Sequence, residues 1–94
     1  MKGCANMSNW KFTLPNSKEL RYAIEIEDCD AVYRQIIEAW KWLASTRDDD
    51  YTIDSYLEDV EFDLECQAFD EESVDSHLSN LYDYCDENGV WIEL

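Results

Sequence analysis

Hydrophobic and polar positions alternate twice near the start of the chain. Trp10, Phe12 and Leu14 are separated by Lys11 and Thr13, the run Pro15-Asn16-Ser17-Lys18 interrupts, and Leu20, Tyr22, Ile24 and Ile26 then alternate with charged or small residues. A period of two sends successive side chains to opposite faces of a strand, so the pattern predicts a β-hairpin with one apolar face. The period then lengthens. Val32, Ile36, Ala39, Trp40 and Leu43 recur at helical spacing, with Asp28 or Asp30 placed to cap the helix and Thr46 near its end.

Ile53, Leu57, Val60 and Leu64 follow the i, i+4, i+7, i+11 pattern and predict a second helix from Thr52 to about Gln67, with Ser55 and Glu58 as a capping-box pair. Val60, Phe62, Leu64 and Cys66 also alternate with Glu61, Asp63 and Glu65, as a half-buried strand would; the longer window favours the helix. A third helix is expected after Asp70, its N-cap, with Glu71 and Glu72 beside the positive end of the helix dipole. Val74, Leu78, Leu81, Tyr82 and Cys85 form its apolar stripe, and Asn88-Gly89 stops it. Val90 to Leu94 then read as a terminal strand able to join the hairpin's sheet, with Trp91 open to core packing or to a dimer edge. The expected fold is α+β: one small domain over residues 1–94 in the order β-β-α-α-α-β, with residues 1–8 flexible.

Composition narrows the class. Ninety-four residues fit one domain, and hydrophobics at 46% with aromatics at 14% supply a core that a disordered acidic chain would lack. No apolar run approaches the roughly 18 residues of a membrane-spanning helix, and MKGCANMSNW has no signal-like apolar stretch, so a soluble intracellular protein is expected. Cys4, Cys29, Cys66 and Cys85 are far apart without CxxC pairing, and His77 is the one histidine. That favours reduced thiols over a zinc site, with Cys66 and Cys85 on or beside apolar faces.

Charge changes the picture most. Every Lys and Arg lies at or before Arg47, whereas Asp48 to Leu94 carries seventeen acidic residues, so the net charge of −16 comes from one half. Solubility alone is served by mixed signs and a net charge of about 2 to 8. On the second helix Asp54, Glu58, Glu61 and Glu65 share one flank of the apolar stripe, and Asp59 and Asp63 share the other. These six carboxylates recur about every 3.7 Å along the axis, against about 3.4 Å between phosphates on one DNA strand. A compact chain of this length has a diameter of about 32 Å, which gives about 0.5 net charge per Å against about 0.6 for duplex DNA. Phe62 falls opposite Ile53 and Val60, where it either anchors an interface or packs on a neighbouring element.

Other chemistries find little support. Asp48, Asp50, Thr52 and Asp59 resemble parts of an EF-hand loop, but Ile53 takes the position of its glycine and Asp59 that of its bidentate glutamate. No metal or cofactor is expected beyond loose divalent binding to Asp48, Asp49 and Asp50. No pair of carboxylates stands out as acid and base, no phosphate-cradling Gly-rich loop occurs, and His77 falls within a helix, so no catalytic residue is assigned. Direct nucleic-acid binding is opposed by phosphate repulsion.

Small size, extreme acidity and one-sided charge resemble the phage-encoded DNA mimics, which include anti-restriction and anti-CRISPR proteins. That resemblance implies a non-enzymatic inhibitor in the cytoplasm of a bacterial host. Its partner would be a basic nucleic-acid-binding protein such as a CRISPR effector or restriction enzyme. The residues expected to meet it are Asp54, Glu58, Asp59, Glu61, Phe62, Asp63 and Glu65, with Asp48 to Asp50 and the Asp70, Glu71 and Glu72 cluster as second contributors. The alternative likeness is to acidic immunity proteins of nuclease toxins, the barstar type, whose terminal strand is comparable in position to Val90 to Leu94.

Self-repulsion on this scale is screened by salt, whose Debye length falls from about 30 Å at 0.01 M to about 3 Å at 1 M. The melting temperature of the isolated protein should therefore rise between low and high sodium chloride; a flat profile in a calorimetric scan would contradict it.

Overall fold

A computed structural model describes residues 12–46 and 51–93. The expected flexible segment 1–8, the start of the first strand at Trp10, and Asp48, Asp49 and Asp50 lie outside the described residues. The observed order is β1 (Phe12–Thr13), α1 (Ser17–Glu25), α2 (Cys29–Thr46), α3 (Tyr51–Glu65), α4 (Glu71–Glu87) and β2 (Val90–Trp91). The described chain is a helical assembly of 40 × 32 × 19 Å, and its short dimension is two helix diameters.

This corrects the α+β expectation. The segment read as the hairpin's second strand is α1, and the sheet is a two-residue parallel pair, Phe12 opposite Val90 and Thr13 opposite Trp91. Leu20 and Ala23 are buried while Tyr22 and Ile26 are exposed, so the i, i+3 spacing won over the alternation. Lys18, Glu19, Leu20, Arg21 and Ala23 all favour helix, and Pro15 stands just ahead of the helix, where its missing N–H costs nothing. The Asn16 side chain does not cap α1; its amide donates to the backbone and side-chain oxygens of Gln35, both at 2.8 Å, and ties the start of α1 to α2.

The other helices fall where the spacing placed them. Asp28 Oδ1 accepts from the Ala31 amide and Asp70 Oδ2 from the Ser73 amide, so both act as N-caps. Residues 60–65 are helical, which settles the competing strand pattern, and α3 begins at Tyr51, ahead of the expected capping box at Ser55 and Glu58. On α4 the buried stripe includes His77 and Tyr84, while Tyr82 is half-buried. Cys85 is buried, as expected, whereas Cys66 is exposed.

Helix α2 organises the core. It packs against α1, α3 and α4, and Trp40 at its centre is fully buried between Tyr56 of α3 and Tyr84 of α4, with ring centroids 5.1 and 5.3 Å away. Trp42, off the main stripe, is half-buried and meets Phe12 edge-on at 6.3 Å. The chain closes where β2 returns to β1, the Leu14 amide donating to the Trp91 carbonyl at 2.8 Å. Both α1 and α3 end in the two-bond pattern of a Schellman motif. The Asp28 amide reaches the Ala23 carbonyl and the Glu27 amide that of Ile24, and the Ala68 and Gln67 amides repeat this at the end of α3. The left-handed residues are Glu27 (φ 57) and Gln67 (φ 58), positions where glycine is the unstrained choice.

Candidate functional site

Helix α3 presents its outer side to solvent. Ile53 and Val60 are buried against the core, and the opposite stripe carries Tyr51, Glu58 and Phe62. Tyr51 is 86% exposed and Phe62 62% exposed, so the Phe62 ring stands in solvent rather than packing into the core. Asp54, Glu58, Asp59, Glu61 and Glu65 are exposed around it, and no basic residue occurs on α3 or α4. These five carboxylates span residues 54–65, about 16 Å of helix at about 4 Å per charge.

Asp63 does not belong to that surface. Its Oδ2 lies 2.6 Å from Nε2 of His77, a residue only 7% exposed on the inner side of α4. An ionised carboxylate can only accept, so the ring N–H donates and the pair links α3 to α4. Tyr33 of α2 stacks edge-on against His77 at 5.5 Å and donates its hydroxyl hydrogen to the Ala68 carbonyl. Burial, followed by the charges of Asp63, Asp70 and Cys29, pushes the Tyr33 phenol up to about 12, which keeps it a neutral donor. Sequence reasoning missed this cluster, although Asp63 lies seven residues after half-buried Tyr56 and so shares its edge of the stripe.

The Asp70 to Glu72 cluster also divides. The Asp70 carboxylate is occupied by the Ser73 hydroxyl and amide at 2.9 to 3.0 Å, and those bonds hold its pKa below the ordinary value. Glu71 turns to a cleft over α1, α2 and α4, whereas Glu72 lines a polar groove with Asp59 and His77 between α3 and α4. Glu61 and Glu65 border a third groove, across which stand Arg34 and Lys41 of α2; Arg34 is paired with Asp30 on its own helix. The outer carboxylates of α3 that border neither groove are thus Asp54 and Glu58, whereas Asp59 faces the groove that holds the Asp63–His77 pair.

Among the described residues no group of three or more His, Cys, Asp or Glu side chains is arranged to hold a metal ion, and no helix is long and apolar enough to cross a membrane. Compared with protein-family models, curated proteins and solved structures, the chain matches none. The surface must therefore be interpreted from its own chemistry.

The two kinds of carboxylate differ in their cost of removal. Asp63→Ala leaves the buried imidazole N–H unpaired and should destabilise the fold by about 1–3 kcal/mol, whereas Glu58→Ala should stay within about 0.5 kcal/mol. Urea denaturation of both variants checks this, and equal losses would contradict the division.

Proposed function

We propose that the protein is a non-enzymatic inhibitor that presents the outer carboxylates of α3 to a basic nucleic-acid-binding surface, in the manner of a polyanion. The target class is a host defence nuclease, a CRISPR effector or a restriction enzyme. The observation that carries this reading is the outer side of α3: five exposed carboxylates, on average one per about 4 Å of helix axis, an exposed aromatic ring among them, and no cation on that helix or on α4.

Solvation alone does not account for such a surface. Asp54 with Glu58, and Glu61 with Glu65, are like charges at i, i+4 that oppose the helix by a few tenths of a kcal/mol each. An exposed Phe62 adds nothing to solubility, but an aromatic ring beside carboxylates suits an arginine-bearing surface, since guanidinium stacks on rings and pairs with carboxylates. A second copy of this chain is a poor partner, because −16 meets −16. A basic partner gains fast association from the same field, and that gain falls as salt rises.

The spacing favours a strand-like match over a whole-molecule one. Sixteen net charges over the 40 Å long axis is about 0.4 per Å, lower than the roughly 0.6 of duplex DNA. The resemblance to phosphate spacing is thus concentrated on α3. Charge reversal at Asp54 and Glu58 should weaken capture of the basic target by well over tenfold at low salt and slow its association. Reversal at Glu19 and Glu25 of α1 should change it less than threefold. Surface-based kinetics on folded variants measure both, and equal effects at the two places would rule the proposal out.

A further inference from the structure

Away from the outer side of α3, a cleft of about 480 Å³ opens where α1 ends, α2 begins and α4 takes its first turns. Its floor is apolar, made by Val32, Val74 and Leu78, and half-buried Phe69 forms one wall. Its rim carries three exposed carboxylates, Glu27, Glu71 and Asp75, each from a different turn of the chain and none in an ion pair among the described residues. The Phe69 wall is fixed rather than loose. The Cys29 thiol donates to the Phe69 carbonyl at 3.3 Å, the Tyr33 hydroxyl holds the neighbouring Ala68 carbonyl, and the Tyr33 ring lies 5.7 Å from that of Phe69.

An apolar floor, an aromatic wall and an anionic rim together select an amphipathic cation. A purely apolar side chain would fill the floor but strip water from the rim carboxylates without replacing it. A lysine could lay its stem on the floor, yet its ammonium is strongly hydrated and offers no plane to the ring. An arginine matches all three surfaces: its stem lies along Val32 and Leu78, its guanidinium stacks on Phe69, and its N–H fork reaches two carboxylates.

We propose that this cleft, rimmed by Glu27, Glu71 and Asp75 over Val32, Val74, Leu78 and Phe69, seats an arginine side chain of the basic partner. It is a second point of attachment, built from different elements than the outer side of α3, and it rests on the reading of the protein as a binder of basic surfaces. Glu27 is its most informative residue. It holds a left-handed backbone conformation that glycine would adopt without strain, so a carboxylate is kept at the rim against the local backbone preference.

The test uses the full chain with methyl-labelled Val and Leu, titrated with N-acetyl-arginine methylamide at constant ionic strength, and with the lysine and leucine analogues. The arginine probe should shift the Val32, Val74 and Leu78 methyls saturably. The lysine probe should need at least threefold more for half-saturation, and the leucine probe should leave the methyls in place. Glu27→Gly should melt at a higher temperature than the native chain yet raise half-saturation by arginine about threefold, the effect of losing one partly exposed charge contact. A variant that melts higher and binds arginine unchanged would overturn the proposal. So would floor methyls that ignore arginine or answer leucine equally well. The outcomes separate from those of the polyanion reading: if α3 charge reversals abolish target capture while the floor methyls ignore arginine, the inhibitor reading stands and the cleft assignment falls.

Discussion

The fold depends on the burial of Trp40. Among the described residues helix α2 packs against α1, α3 and α4, and the Trp40 indole fills the space where α2, α3 and α4 meet. Truncating a buried tryptophan costs about 3–5 kcal/mol, several times the few tenths contributed by each like-charge pair on α3. That difference lets the second half of the chain carry seventeen acidic residues and no basic one and still fold. Among the described residues the indole N–H is buried without a partner, at a cost of about 1–3 kcal/mol that the packing exceeds.

With the core held in this way, the carboxylates are free to take separate roles. Asp28 and Asp70 cap helices, and Asp63 pairs with His77 to lock α3 to α4. Glu27, Glu71 and Asp75 rim the apolar cleft. Asp54, Glu58, Asp59, Glu61 and Glu65 remain on the outer side of α3 around Phe62. An acidic composition that reads as uniform is therefore a set of distinct devices, only one of which presents an ordered row of charge.

Much of the architecture was legible in the sequence because three of the helices have long apolar stripes at one period. Ile53, Val60 and their spacing located α3, and Asp70 with Glu71 and Glu72 located the start of α4. The hairpin expectation failed at Leu20 to Ile26, where seven residues fit both periods and the deciding contact, Asn16 with Gln35, joins positions 19 apart. Short segments do not carry enough turns for the pattern to arbitrate. The outer carboxylates of α3 were found by the helical wheel, and Phe62, open between an interface and packing, is exposed. The pairing of Asp63 with His77 was not legible, because the two residues lie on different helices. The Glu27 rim could not be read at all, since φ and a cleft between three helices leave no local signature.

On the proposed function, the outer side of α3 occupies a place meant for nucleic acid. The most direct measurement immobilises the full chain, binds a basic target from a host lysate at moderate salt, and challenges the complex with short duplex DNA. DNA should displace the target in proportion to its concentration, the complex should be lost as salt rises, and a chain reversed at Asp54 and Glu58 should capture nothing. A complex that forms equally with the reversed chain, or that DNA cannot displace at any salt, would contradict it.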